Sequence, residues 1–301
     1  MLGLFILFAT ALALISLIGS AALLFSIHRP RRKTFAVALA LDCPTEPGDL
    51  DLVGEEATFN LPGPGQGYTS PGWIIQGQQS QGPTVVVLHG HRDSRYGALY
   101  RAKMLAPYAR RIVVFDWPGH GDCTAPWMVF GEREVEDVLA VLDGLPADEH
   151  AAKPAVLFGY SLGAQIAIKT AALHPDRFAG VIADAPYRPW HSPIRMRMKR
   201  MHLPASLFIY PIAAYYLMRG YLPGFDRLKF AERLQCPLLV IHGTHDPTCP
   251  FEEGLELADA APQGTFVPVE GGGHINLYGH DGETYRAALE TFFAGLDGAG
   301  A

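Results

Sequence analysis

The sequence predicts an α/β fold: a mostly parallel sheet with helices on both faces, a lid insertion after the sixth strand, and an N-terminal transmembrane helix. Three observations predict it. Short apolar runs are continuous rather than alternating, as in strands that are covered on both faces. Stretches with helical periodicity separate them, which favours parallel pairing through crossover connections. The first 27 residues contain no charged side chain.

Six apolar runs carry the prediction of a parallel sheet. They cover residues 84–88, 111–115, 155–158, 180–183, 237–241 and 264–269. The stretches with helical periodicity cover residues 96–109, 132–145, 162–173, 252–260 and 282–296. Earlier in the chain, residues 56–61 and 73–76 are expected to add antiparallel strands at one edge.

Residues 1–27 are interpreted as a retained membrane anchor. As a helix they would extend about 40 Å, which is more than the ~30 Å hydrocarbon core requires. A cleaved signal peptide is the alternative, but the stretch is too long and no Lys or Arg precedes it. The basic run at 28–33 follows directly. By the positive-inside rule, that flank and the rest of the chain are expected on the cytoplasmic side of a single-pass membrane protein.

The remaining chain divides into a linker and one folded domain. Residues 28–54 are expected to be a juxtamembrane linker, because Pro44, Pro47 and Gly48 interrupt regular structure. Residues 55–298 then form the catalytic domain. Within it, residues 188–225 are too long for a simple crossover and mix basic residues with methionines and an apolar run. We interpret this segment as a lid that faces the membrane, the alternative being an elaborate connection with a solvated basic face.

Composition excludes several classes of protein. Of the 301 residues, 49% are hydrophobic and 18% are charged, which is not the composition of a disordered chain. A formal net charge of -6 argues against a nucleic-acid partner. The cysteines have no CxxC spacing, so neither a disulfide framework nor a zinc site is predicted from them. The oligomeric state cannot be predicted.

Ser161 lies in the sequence Gly159-Tyr160-Ser161-Leu162-Gly163, between a predicted strand and a predicted helix. A sharp turn at this point needs small residues on both sides of the serine, and glycines supply them. This context predicts a serine nucleophile. A structural serine in a glycine-rich turn is the alternative.

A serine nucleophile needs a base to take its proton and a carboxylate to orient that base. Reactive groups of open sheets gather beyond the carboxyl ends of the strands. Asp246 and His274 follow two later strands and complete the order Ser, Asp, His. Asp184 is a competing acid and His280 a competing base.

These residues, together with Leu88-His89-Gly90-His91 and Asp116-Trp117-Pro118-Gly119-His120-Gly121, resemble the α/β-hydrolase superfamily over about residues 55–298. The resemblance implies an oxyanion hole from the backbone N–H groups of Leu162 and His91. Leu162 would open a helix whose first amides carry partial positive charge. We expect His89, His91 and His120 to shape loops rather than to bind metal.

The resulting prediction is a membrane-anchored serine hydrolase that cleaves carboxylic esters or thioesters through an acyl-enzyme. It needs no cofactor and no metal, since the role of Asp246 accounts for the loop that also holds His242, His245 and Cys249. Acyl lipids or acylated proteins are the favoured substrates. Two alternatives stay open: a serine aminopeptidase of the same fold, and an inactive membrane-bound interaction scaffold.

Overall fold

The computed structural model describes residues 1–129, 131, 133–147, 153–221 and 226–298. Its strands are β1 (Gly54–Leu61), β2 (Tyr68–Gln76), β3 (Thr84–Leu88), β4 (Arg111–Phe115), β5 (Ala155–Tyr160), β6 (Phe178–Asp184), β7 (Leu238–Gly243) and β8 (Gly264–Val269). Its helices are α1 (Leu2–His28), α2 (Phe35–Ala40), α3 (Arg95–Leu105), α4 (Glu134–Asp143), α5 (Leu162–Leu173), α6 (Ser192–Arg200), α7 (Ser206–Met218), α8 (Leu228–Ala231), α9 (Phe251–Ala260), α10 (Leu277–His280) and α11 (Gly282–Gly298).

Within the described residues, the strands form one sheet in the order β1-β2-β4-β3-β5-β6-β7-β8. The pairs β1–β2 and β2–β4 are antiparallel, and the other pairs are parallel. The predicted sheet is therefore confirmed, including its antiparallel edge. Strands β3, β5 and β7 are buried along their whole length, which explains their continuous apolar sequences.

Two element boundaries differ from the sequence-based expectation for identifiable reasons. Helix α3 was expected to reach residue 109 but ends at Leu105, because Pro107 cannot continue it. Strand β2 begins at Tyr68 rather than at residue 73. It includes Gly72, where a Cβ atom would lie 2.3 Å from the carbonyl oxygen of Val114, so the glycine permits close pairing with β4. Residue 132, the expected start of α4, lies outside the described residues.

The N-terminal helix α1 is long and apolar enough to cross a membrane, and most of its surface is exposed. Its second half packs against α7. The hydroxyl of Ser20 donates a hydrogen bond to the carbonyl oxygen of Phe208 at 3.2 Å, and Ser16 donates one to that of Leu207. The helix therefore contacts the insertion that precedes β7.

The segment expected to be a linker lies against the domain. It contains α2, whose Ala38 is completely buried, and Leu50 and Leu52 pack against the core on the same side of the sheet. The insertion expected to be a lid consists of α6 and α7, and its residues 222–225 lie outside the described part. An isolated bridge between Pro189 and Asp226 joins its two ends. The three-part domain division and the role of the insertion as a lid stay predictions.

Candidate active site

Ser161 lies on the sharp turn between β5 and α5. Its backbone has φ 55° and ψ -115°, a conformation that is strained for a residue with a side chain. The turn is possible because Gly159 and Gly163 approach each other so closely that a Cβ on Gly159 would lie 2.3 Å from the carbonyl carbon of Gly163. A Cβ on Gly163 would likewise lie 1.9 Å from the carbonyl oxygen of Leu88. Both glycines are therefore required by packing.

The structure brings Ser161, His274 and Asp246 into one hydrogen-bonded row. The hydroxyl oxygen of Ser161 lies 3.0 Å from Nε2 of His274, and Nδ1 of His274 lies 2.7 Å from Oδ2 of Asp246. The Asp246 side chain is fully buried, whereas 14% of the His274 side chain is exposed. A hydroxyl, an imidazole and a carboxylate at these distances can transfer a proton away from the hydroxyl.

Asp246 is held as a carboxylate by its surroundings. Burial alone would raise its pKa, but hydrogen bonds from His242 and His274 and from the N–H of Cys249 hold that pKa well below its ordinary value. Its Oδ1 also accepts the backbone N–H groups of Thr248 and Cys249 at 2.7 and 2.9 Å. An anion in this position fixes the tautomer of His274 that carries a proton on Nδ1.

Asp184 and His280, the competing acid and base, lie outside the row of Ser161, His274 and Asp246. Asp184 accepts a hydrogen bond from the hydroxyl of Tyr285 at 2.8 Å, and its backbone carbonyl accepts the N–H of Ser161 at 2.9 Å. His280 has its Nε2 2.9 Å from the carbonyl oxygen of Glu270. Neither side chain belongs to the row, although Asp184 supports the turn through its backbone.

The two residues expected to form an oxyanion hole flank the serine. Leu162 is the first residue of α5, so its N–H has no acceptor within that helix. His91 follows β3 and borders the same cavities as Ser161. The imidazole Nε2 of His91 donates to the carbonyl oxygen of Ile27 at 3.0 Å, and burial lowers the pKa of His91 to about 4. The His91 ring is therefore neutral near pH 7.

The neighbouring histidines join the loops after β3 and β4. Burial lowers the pKa of His89 to about 4, and Nε2 of this neutral ring accepts the N–H of Trp117 at 3.2 Å. The carbonyl of His89 accepts the indole N–H of Trp117 at 3.1 Å. Burial also lowers the pKa of His120 well below its ordinary value. These contacts stabilise the loops after β3 and β4.

Asp246, Cys249 and His274 place one potential metal-ligating atom each within 4.8 Å of the others. A thiol binds metal as a thiolate. Burial, with the nearby charges of Asp246 and Glu253, raises the pKa of Cys249 well above its ordinary value, so the thiol keeps its proton. The contacts of Asp246 with His274 and with backbone N–H groups fit the proton-transfer row better than a metal centre.

Two cavities meet at Ser161, and sequence analysis missed much of what lines them. The larger cavity, of about 450 Å³, is bordered by the basic segment after α1, by Val37 and by Tyr160. The smaller cavity, of about 280 Å³, is bordered by the end of α1 and by Trp190 and Ile194. Arg92 borders both. Trp190 and Ile194 belong to the segment that was interpreted as a lid, whereas the basic run at 28–33 was interpreted as a membrane flank and not as part of a cavity.

A family model described as the alpha/beta hydrolase family matches residues 85–288. Lysophosphatidylserine lipase ABHD12 of Rattus norvegicus is 28% identical over 218 residues, which cover 64% of this chain and 49% of the lipase. The chain thus spans about half the length of the first curated relatives that it matches.

Two solved structures share the fold. The esterase Pf2001 of Pyrococcus furiosus superposes with a TM-score of 0.66 at 20% identity, covering 83% of this chain and 93% of the esterase. A membrane phospholipase A superposes with a TM-score of 0.58 at 18% identity, and the match covers 98% of both chains.

Proposed function

Because this chain belongs to the α/β-hydrolase family, we propose that it is a membrane-anchored serine hydrolase that cleaves carboxylic esters or thioesters. Acyl lipids or acylated proteins are the proposed substrates. The observation that carries the proposal is the row in which the Ser161 hydroxyl lies 3.0 Å from His274 and His274 lies 2.7 Å from Asp246. The lysophosphatidylserine lipase among its relatives supports ester hydrolysis.

The proposed reaction proceeds through an acyl-enzyme. The hydroxyl oxygen of Ser161 attacks the ester carbonyl carbon while its proton passes to Nε2 of His274. Asp246 accepts a hydrogen bond from Nδ1 and stabilises the imidazolium that forms. The N–H groups of Leu162 and His91 stabilise the negative charge on the carbonyl oxygen. His274 then gives its proton to the leaving alcohol or thiol.

Water completes the cycle. His274 removes a proton from a water molecule, the hydroxide attacks the acyl carbon, and the bond to Ser161 breaks as the serine oxygen recovers the proton. The products are a carboxylic acid and free enzyme. The proton that Ser161 loses leaves with the alcohol or thiol, and water supplies both the hydroxide and the proton that restores the serine, so water is the second reactant.

Membrane anchoring is proposed from α1 and its neighbours. An exposed apolar helix of this length is costly in water and is stable across a bilayer. Apolar side chains of α7, including Tyr210, Leu217 and Met218, are also exposed, and α7 packs against α1. We propose that α7 and the basic helix α6 form a lid that faces the bilayer, with the catalytic domain on the cytoplasmic side.

The two alternatives, a serine aminopeptidase and an inactive interaction scaffold, have less support. An aminopeptidase needs a carboxylate that is available to bind a substrate amine. Asp93 is the carboxylate that lines the larger cavity, and it is already paired with Lys33 at 3.1 Å and with the hydroxyl of Tyr160 at 2.6 Å. A protein that served only as an interaction scaffold would not require the His274 imidazole to be hydrogen-bonded to a serine with a strained backbone.

A labelling experiment tests the proposal. Full-length protein in neutral detergent is treated with a fluorophosphonate probe and assayed in parallel on p-nitrophenyl esters and aminoacyl anilides. We expect labelling and ester hydrolysis in the wild type and neither in Ser161→Ala. Ser206→Ala, an exposed serine at the start of α7, is the matched control and should behave as the wild type. A folded wild type that is not labelled would favour the scaffold, and faster anilide cleavage would favour the aminopeptidase.

A further inference from the structure

The two cavities at Ser161 differ in chemistry. The smaller cavity has a largely apolar wall made by Leu23, Ile27, Leu162, Tyr187, Trp190 and Ile194. The larger cavity collects basic side chains from the segment after α1. Because Ser161 and His274 border both, an ester bound at the serine can place its acyl part in one cavity and its alcohol part in the other.

Two of the cations that line the larger cavity are occupied by structural partners. Lys33 pairs with Asp93 at 3.1 Å. Arg32 donates to the carbonyl oxygens of Cys123 and Ala125 at 2.6 and 2.5 Å. These side chains attach the segment after α1 to the domain, so they are not available to a ligand.

Four arginines that line the cavities lack such partners among the residues that the structure describes. Arg92 borders both cavities, Arg31 the larger, and Arg197 and Arg200 the smaller. In that part of the chain, none of the four has a carboxylate within 4.0 Å. Arg31 and Arg197 are the two whose charges act on Arg92. The side chain of Arg92 donates only to the hydroxyl of Ser26, at 3.0 Å.

Arg31, Arg92 and Arg197 come from different elements and line the two cavities that meet at Ser161. Arg31 follows α1, Arg92 follows β3 and Arg197 belongs to α6. Besides partial burial, the positive charges of Arg197 and Arg31 lower the pKa of Arg92. Like charges that converge in this way repel each other, and an anion between them would offset that repulsion.

We propose that an anionic group on the alcohol part of the substrate, a phosphate or a carboxylate, binds where the two cavities meet, to Arg92 with Arg31 on the side of the larger cavity and Arg197 on the side of the smaller one. This inference rests on the proposed ester hydrolysis and gives it a substrate class: acyl esters with a negative charge near the scissile bond. Guanidinium groups suit this role because they donate paired hydrogen bonds to phosphate and carboxylate oxygens. The anion would hold the ester carbonyl over Ser161.

The same charges could instead attract an anionic membrane surface, but the arrangement favours a substrate site. Arg29 and Lys199, which belong to the same basic segments, line neither cavity. Arg29 lies over the rings of Phe25 and Trp127 at 5.9 and 5.2 Å. Attraction to a surface would not require three arginines to converge beside the nucleophile.

A pair of soluble substrates tests the inference. Full-length protein in neutral detergent is assayed on a medium-chain monoester of glycerol and on the same acyl ester of glycerol 3-phosphate, both below their critical micelle concentrations. We expect kcat/KM to be about tenfold higher for the phosphate ester, the effect of one charge-assisted contact. Arg92→Gln, Arg31→Gln and Arg197→Gln should each lower the ratio of kcat/KM for the phosphate ester to kcat/KM for the neutral ester towards one.

The matched control is Lys199→Gln, a cation of α6 outside both cavities, which should keep the full preference. If the wild type hydrolyses both esters equally well, the anion site is refuted and the esterase proposal stands; if it hydrolyses neither, both are refuted. If Lys199→Gln and Arg197→Gln lower activity equally on anionic vesicles and the soluble pair shows no preference, the charges serve the membrane surface. Inhibition by inorganic phosphate at concentrations below the KM of the phosphate ester would indicate a site for free anions and overturn the substrate assignment.

Discussion

The backbone carbonyl oxygen of Ile27 accepts a hydrogen bond from the imidazole Nε2 of His91 at 3.0 Å. Ile27 lies in the last turn of α1, where the backbone carbonyl groups receive no hydrogen bond from an N–H group of the same helix. The next carbonyl, that of His28, accepts the N–H of Met128 at 3.0 Å. The end of the proposed membrane helix is thus joined to the loop that holds one proposed oxyanion donor.

This connection predicts that activity depends on the second half of α1. A chain that lacks residues 1–14 keeps the contacts of Ser16 and Ser20 with α7, so we expect near-normal ester hydrolysis in detergent. A chain that lacks residues 1–27 loses them and also the acceptor of His91. We expect its kcat to fall by roughly tenfold to hundredfold, because small displacements of a catalytic loop are costly.

Both truncated chains are compared with full-length protein by steady-state kinetics on a soluble ester. Circular dichroism and thermal melting establish that each is folded. Full activity in a folded chain without residues 1–27 would contradict the prediction.

Asp246 is predicted to be the acid of the proton-transfer row. Asp246→Asn keeps the size of the side chain but removes the charge that fixes the His274 tautomer, so we expect kcat to fall by about four orders of magnitude. Asp184→Asn is the matched control. Its side chain accepts only the Tyr285 hydroxyl among the hydrogen bonds that the structure records, and an amide oxygen can still accept it. An equal loss in both variants would show that Asp246 has no special role.

The smaller cavity is predicted to hold the acyl chain. Ile194, in α6, is buried and lines this cavity. Ile194→Ala should lower kcat/KM for long-chain esters by roughly tenfold, which corresponds to the hydrophobic free energy of burying a few methylene groups. The kcat/KM values for acetate and butyrate esters should not change. Leu217→Ala, on the exposed side of α7 and outside both cavities, is the control. An equal loss for all chain lengths would indicate a structural effect instead.

The buried carboxyl group of Asp137 is expected to make the free energy of unfolding depend on pH, independently of catalysis. Its side chain, in α4, is buried, and one carboxyl oxygen has no hydrogen-bond partner among the residues that the structure describes. Burial, with nearby Glu134 and Glu136, raises its pKa to about 8. The folded protein therefore keeps a proton that the unfolded chain releases above about pH 4. Since the unfolded state binds fewer protons in this range, the free energy of unfolding falls as the pH rises from about 4 to 8.

Asp137→Asn removes this titration. We expect the variant to be more stable than the wild type at pH 8, with a smaller difference at pH 5, measured by urea unfolding at both values. Asp259→Asn, which removes an exposed carboxylate from α9 outside this cluster, is the matched control. A constant difference between Asp137→Asn and the wild type across this range would contradict the prediction.

The sequence by itself determined the features that depend on local patterns. Continuous apolar runs located the strands because a strand covered on both faces needs apolar side chains at every position. Gly159 and Gly163 located the turn of Ser161 because no larger residue fits there. The absence of charge over residues 1–27 located a helix suited to a bilayer.

Only the tertiary structure decided which distant residues meet. Asp184 ends one parallel strand and Asp246 follows another, and the sequence around them does not show which of them reaches His274. The convergence of Arg31, Arg92 and Arg197, and the hydrogen bond from His91 to Ile27, join segments far apart in the chain. Local periodicity carries no information about such contacts, because packing of the whole domain sets the distance between two surface loops.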